Sequence, residues 1–149
     1  MIEWGDFMPL WFIYAILGAV FASLVSIFTK LGVTNISPSL SGTIKAIIMA
    51  IFFIIISSFN GDFTKLSGIT TYKKDLLFLV LTGIFGALSW LFMNFAFKHG
   101  SVTKVVPIDK MSIAITILLS ALILKEHLSA RTIIGVAFIV IGGIVIALH

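Results

Sequence analysis

The chain has no cysteine among its 149 residues, which excludes disulfides, thiol chemistry and cysteine-ligated zinc or iron-sulfur sites. Charge is scarce: Asp, Glu, Lys and Arg make up 11% of the residues against 60% hydrophobic ones, and the mean hydropathy is +1.21. A soluble domain of this length could not cover so much apolar surface, so the composition is that of an integral membrane protein. There is no HExxH, no GxSxG, no P-loop and no nucleotide or haem motif. The three histidines, His99, His127 and His149, all fall at the ends of apolar runs, so neither a metal site nor a cofactor is implied. An intramembrane enzyme needs a nucleophile and a base at one depth. The nearest approach to that, Asp109 with Ser112, is a single turn of one helix, and no enzyme is expected. The net charge of +4 is spread as one or two lysines per loop, a pattern of juxtamembrane anchors and not of a nucleic-acid surface.

What remains is apolar length. Spans of about 20 residues, roughly 30 Å at a rise of about 1.5 Å per residue, fit five times into the chain and leave no room for a soluble domain. The runs are too long and unbroken for the alternating strands of a membrane barrel, and backbone groups in hydrocarbon must bond within their own segment. The expected architecture is an all-α integral membrane protein. It is a bundle of five transmembrane helices over about 9–30, 39–59, 75–98, 102–124 and 130–148, in one domain covering 1–149.

The N-terminal MIEWGDFMP carries Glu3 and Asp6 instead of a basic region, and the stretch behind it is longer than a signal-peptide core, so it is expected to stay as the first span. Trp4 and Trp11 read as interface anchors. Pro9 and Pro38 suit helix starts and Gly32 a helix end. Small residues at helical spacing offer close approach to another helix: Ala15, Gly18, Ala19, Ala22, Ser23 and Ser26 in the first span, Gly83, Gly86 and Ala87 in the third, and Gly135, Gly142 and Gly143 in the fifth. Between the second and third spans, NGDFTKLSGITTYKK opens on an Asn-Gly turn signal. Its Phe63, Leu66 and Ile69 are spaced to lie on the membrane surface.

Ionisable groups inside the spans are the informative exceptions. A central Lys costs about 2.5–3.5 kcal/mol on the insertion scale and each Ile or Phe returns about 0.3–0.6, so IIMAIFFIII can carry Lys45 into the membrane. Its amine either snorkels to the near surface or finds a partner inside. Trp90, Asn94 and Lys98 recur at four-residue steps and share one side of the third span. The fourth span is the costly one, since SVTKVVPIDKMSIAITILLSALILKEHLS carries Pro107, Asp109 and Lys110. At full central depth its two charges total about 5–7 kcal/mol, against about 5 kcal/mol returned by its apolar residues. That helix needs neighbours or water against its polar face. Adjacent residues lie about 100° apart around a helix axis, so Asp109 and Lys110 are not expected to pair with each other. Asp109 shares a face instead with Ser112, Thr116 and Ser120, giving a polar stripe. Pro107 either breaks the span or sits harmlessly in its first turn.

With five spans the termini face opposite sides. Lys65, Lys73, Lys74, Lys125 and Arg131 fall on one side and Lys30, Lys98 and Lys104 on the other, a split that favours an inside N-terminus while leaving both orientations open. Lys45, Asp109 and Lys110 are each expected roughly 9–12 Å from the second side, and Asn94 enters from there too. The polar groups are thus expected to converge on one layer, and ionisable groups within spans mark a substrate or ion path by default.

From FAFKHGSVTKVVPIDKMSIAITILLSALILKEHLSARTIIGVAFIVIGG, the chain resembles the EamA-type domain of the drug/metabolite transporter superfamily, most of all its short five-helix bacterial and archaeal members. The likeness covers the opening MPLWFIYAILGAVFASLVSIFTKLGV, Lys45, the segment 96–100, VVPIDK at 105–110 and Glu126. Lys125 departs from it, since a glycine usually precedes that glutamate.

The resemblance implies one repeat of a ten-helix inverted pair, hence an antiparallel homodimer in the bilayer of a prokaryotic plasma membrane. It implies a secondary transporter that moves a small metabolite or drug-like solute by alternating access. Asp109 would be the titratable or substrate-facing group, Lys45 and Lys110 its charge partners, and Asn94, Ser112 and Thr116 polar lining. Pro107 and Glu126 would be structural. The alternative is a non-transporting or hetero-dimeric subunit, a half-repeat needing a second short protein. A four-helix multidrug exporter fits less well, because the first span has no acidic residue and the fifth helix is surplus.

Overall fold

Why each helix starts and stops is visible in its end residues. The computed structural model describes residues 9–148, so Glu3, Trp4, Asp6 and His149 lie outside the described residues. Helix α1 (Leu10–Gly32) begins directly after Pro9 and ends on Gly32. Helix α2 (Pro38–Phe59) has Pro38 in its first turn, where a missing N–H costs nothing, and Ser37 as N-cap, its hydroxyl accepting from the Leu40 N–H at 3.3 Å. After Asn60, Gly61 takes a left-handed φ of 71°, as the Asn-Gly signal requires. A 3₁₀ segment (Asp62–Thr71) follows, with Phe63, Leu66 and Ile69 exposed. Helix α3 (Lys73–His99) completes this half of the chain.

The expected fourth span is long and apolar enough to cross a membrane over Val102–Leu124, but it is not one regular helix. It consists of α4 (Val102–Lys110), α5 (Ser112–Leu119) and a π turn (Ser120–Leu124). Pro107 lies within α4 and not in its first turn. Four residues on, the ladder is interrupted: Met111 N–H donates to the Ile108 carbonyl at 3.0 Å, three residues back. A proline removes its own donor and crowds the turn before it, so Pro107 acts on residues 103–106 and does not by itself account for the interruption at Met111. Helix α6 (Ala130–Leu148) is the fifth span. No strand occurs among the described residues.

The elements group into two units, residues 9–31 with 100–148, and residues 32–99. In the first, α4 packs chiefly on α6, and the crossing is close. Gly143 is buried, and a Cβ there would lie 3.0 Å from the Pro107 carbonyl oxygen and 3.6 Å from Met111 Cγ. At Gly135 and Gly142 the same test finds open space, so of the three glycines only Gly143 makes the close approach foreseen for this helix. Nothing lies within 4 Å of such an atom at Gly18, Gly83 or Gly86 either. Lys30, at the end of α1, donates to the Gly100 carbonyl at 2.8 Å.

In the second unit α2 packs on α3. Val33, Pro38, Ser41, Asn94 and Phe97 are buried there. Elsewhere the large apolar side chains of the spans are mostly exposed, as suits helices whose solvent is lipid.

The left-handed residue at the end of the π turn is Lys125 (φ 57°, ψ 32°), whose N–H returns to the Ser120 carbonyl. The position where a glycine was expected by resemblance is thus the position whose backbone favours one. An L-residue with a Cβ is strained in this conformation by about 1–2 kcal/mol, part of which glycine gives back as unfolded-state entropy. Lys125→Gly is expected to stabilise the protein by about 0.5–1 kcal/mol, read as a raised thermal midpoint in detergent.

Candidate functional site

Lys45 lies two turns into α2, and the Cβ of a helical residue tilts toward the N-terminus, so its long side chain runs back toward the start of the helix. There its ammonium donates to Asn94 Oδ1 of α3 at 2.6 Å and sits 5.5 Å from the centre of the Trp90 ring, within cation–π range. Asn94 is 0% exposed. Its amide nitrogen donates to the Pro38 carbonyl at 2.9 Å, so each end of the amide is taken by a group of α2. Gly42 provides the room, since a Cβ on it would come within 3.3 Å of that nitrogen. One turn further along α3, Lys98 donates to the carbonyls of Val33 (2.9 Å) and Thr34 (2.8 Å), fastening the segment before α2 to the end of α3. The expected common side of Trp90, Asn94 and Lys98 therefore carries these contacts to Pro38, Lys45, Val33 and Thr34.

Beside this chain of contacts is a cleft of about 320 Å³ between α2 and α3, lined by Ser39, Gly42, Thr43 and Ala46 from one and Ala87, Trp90 and Leu91 from the other. Its size is at the lower end of small-molecule sites, and its walls are apolar apart from two hydroxyls. Trp90 belongs both to the cleft wall and to the cation site, so a molecule in the cleft would meet the ring on which the Lys45 charge rests.

In the other unit, Lys110 Nζ lies 3.2 Å from Asp109 Oδ2. This corrects the expectation that the two neighbours do not pair. The 100° between them separates their Cβ atoms, but four methylenes let the ammonium swing sideways to the carboxylate. Both side chains stay partly exposed, so the pair is a loose one. Ser112 and Thr116 are exposed on α5. The winding change at Met111 separates Asp109 from them, and the Ser120 hydroxyl turns back to the Ile117 carbonyl at 3.0 Å. The regular helix assumed for an unbroken polar stripe is thus interrupted at both ends of α5. Glu126 contributes backbone, its N–H reaching the Ser120 carbonyl at 3.4 Å while its side chain is exposed.

The family model of the EamA-like transporter family matches residues 9–148. The chain belongs to the EamA-like transporter family. It is 34% identical over 137 residues to an uncharacterized transporter in the cobO 3′ region of a Sinorhizobium species, spanning 92% of this chain and 96% of that protein. It is also 32% identical over 80 residues to an uncharacterized protein of Methanocaldococcus jannaschii, covering 54% of this chain and 58% of that one. No solved structure gives a significant match.

As an EamA-like membrane transporter with five spans, the chain must satisfy every backbone and side-chain polar group it carries into hydrocarbon. Lys45 and Asn94 do so through each other. Sequence reasoning missed Gly42, Lys98 and the Pro38 carbonyl as parts of this arrangement. Lys98 was placed on the same side of the helix as Asn94 by its four-residue spacing, but it was not included among the site residues.

Proposed function

We propose that the chain is a secondary transporter that moves a small metabolite or drug-like solute across the cell membrane by alternating access, one repeat in each subunit of an antiparallel homodimer. The observation that carries this reading is the Lys45 ammonium, two turns inside a span, held on a buried amide and an aromatic ring beside a cleft of small-molecule size. A fixed charge next to an apolar cleft can bind a polar part of a solute where a lipid tail cannot compete. Lys45 is the solute-facing group of one unit, with Asn94 behind it. Within the other unit, Asp109, Lys110, Ser112 and Thr116 are the polar solute-path candidates, with Pro107 and Glu126 shaping the backbone around them.

The dimer reading is supported by the open glycine faces at Gly18, Gly83 and Gly86, which leave room for another helix's backbone, and by a loop-charge bias weak enough to leave both orientations open. Two separately tagged variants, Leu10→Cys and Leu148→Cys, test it in membranes. Leu10–Leu148 disulfides between copies are expected, since inversion brings opposite ends of the chain to one surface. Only Leu10–Leu10 and Leu148–Leu148 products would mean a parallel dimer.

Asp109 has its own test. Asp109→Asn keeps the size of the side chain and removes its charge. In proteoliposomes the variant is expected to transport at least about tenfold more slowly than wild type and to lose pH dependence, a change of about 1.4 kcal/mol in the transport barrier. Unchanged rate and pH profile would remove Asp109 from the mechanism.

A further inference from the structure

Asn94 was placed among the lining residues by its polarity, but a side chain that is 0% exposed within the chain does not reach a solute. Its two neighbours define a different task. An ammonium can only donate and a carbonyl can only accept, so Lys45 fixes the amide oxygen on one side and Pro38 fixes the amide nitrogen on the other. The amide has one orientation that serves both. Pro38, Gly42 and Lys45 recur at four- and three-residue steps on α2 and so lie along one face of it. The carbonyl belongs to the first turn of α2, which the Ser37 cap and the rigid proline ring already hold.

We propose that Asn94 is a positioning residue. It ties the start of α2 to the Lys45 ammonium, so that the charge is held over Trp90 at the wall of the cleft, and Gly42 is the spacer that lets the amide enter. This rests on the reading of Lys45 as solute-facing, but its physical content, the place of the ammonium, can be measured without any solute.

A lysine with three rotatable bonds beyond its Cβ changes its position readily when one of its acceptors is removed. The acceptor is a strong one, because a hydrogen bond from a charged donor is shorter and stronger than a neutral one. Asn94→Asp keeps that acceptor, and with it the pull on the ammonium, while losing the donor to Pro38. Asn94→Ala loses both. A residue whose task was only the link to the Pro38 carbonyl would make these two substitutions alike. A residue that positions Lys45 makes them different.

Trp90 is one of three tryptophans, so a Trp4→Phe, Trp11→Phe background leaves it as the only indole and a reporter of the charge above it. In nanodiscs without solute, Lys45→Met is expected to shift the Trp90 emission maximum. Asn94→Ala is expected to reproduce more than half of that shift, whereas Asn94→Asp, which holds the ammonium in place but adds a carboxylate beside it, is expected to give a shift of different size. Gly42→Ala, which crowds the amide by a few tenths of an ångström while keeping every polar group, is expected to shift it in the same direction and by less. It also serves as the readout if Asn94→Ala does not fold.

Wild-type emission in Asn94→Ala would overturn the proposal, as would equal shifts in Asn94→Ala and Asn94→Asp, or no shift in Lys45→Met. If Asn94→Ala does not fold, wild-type emission in Gly42→Ala overturns it. The expected emission pattern in a protein that moves no solute would leave Asn94's role standing and reject the transport reading alone.

Discussion

Gly143→Leu is expected to destabilise the protein by about 1–3 kcal/mol, read as a lower thermal midpoint in detergent and a smaller monodisperse yield. The reason is geometric. The first atom added at Gly143 would meet the Pro107 carbonyl oxygen at 3.0 Å, and that oxygen is backbone and cannot rotate away. Larger side chains would also press on Met111, where the α4 ladder is already interrupted. Gly142 is the matched control, one residue away on the same helix, with nothing within 4 Å of its virtual Cβ. Gly142→Leu gains helix propensity of about 0.5–1 kcal/mol without a clash and is expected to be neutral or stabilising. A common fall in both variants would mean that glycine matters here for flexibility and not for the approach of α6 to α4.

Lys45→Met is expected to separate function from stability. Removing the charge relieves an insertion cost of about 2.5–3.5 kcal/mol at most, and less for a lysine that lies part-way to the surface. Against that, the amide oxygen of Asn94 loses its charged donor while remaining buried, which costs about 1–3 kcal/mol. The two terms are of similar size and opposite sign, so the thermal midpoint should change little. Transport, if it uses the ammonium, should fall by at least about tenfold, or roughly 1.4 kcal/mol in the barrier. A large loss of stability with normal specific activity of the folded fraction would assign Lys45 to architecture.

The five spans were legible because their causes are local. Insertion needs apolar length, and the helix ends are written in Pro9, Gly32, Ser37, Pro38 and the Asn60-Gly61 pair, so expected and observed limits agree within a few residues. Half of the site was legible for the same reason, since the four-residue spacing of Trp90, Asn94 and Lys98 needs only a regular helix. The acceptors were not legible. Pro38, Val33 and Thr34 contribute carbonyl oxygens, which every residue has, and no side-chain pattern announces which of them will be used.

The fourth span shows the opposite failure. Its polar stripe over Asp109, Ser112, Thr116 and Ser120 presumed constant winding, and the break at Met111 between α4 and α5 removes that assumption. The pairing of Asp109 with Lys110 was missed because helical-face arithmetic treats side chains as fixed spokes, which a four-carbon stem is not. At Lys125 the resembled pattern carries a glycine, as a left-handed turn would favour. The turn is there, and the lysine bears its strain.

The most direct measurement is what leaves a vesicle when this chain is the only protein in it. Proteoliposomes of purified wild-type chain, loaded with a low-molecular-weight extract of bacterial cells, can be followed by mass spectrometry of the released compounds. Protein-free vesicles and folded Lys45→Met protein serve as references. At least one compound is expected to leave faster from the wild-type vesicles than from both references. Release profiles identical in all three would contradict a self-sufficient transporter working through Lys45, and would favour a subunit that needs a second protein.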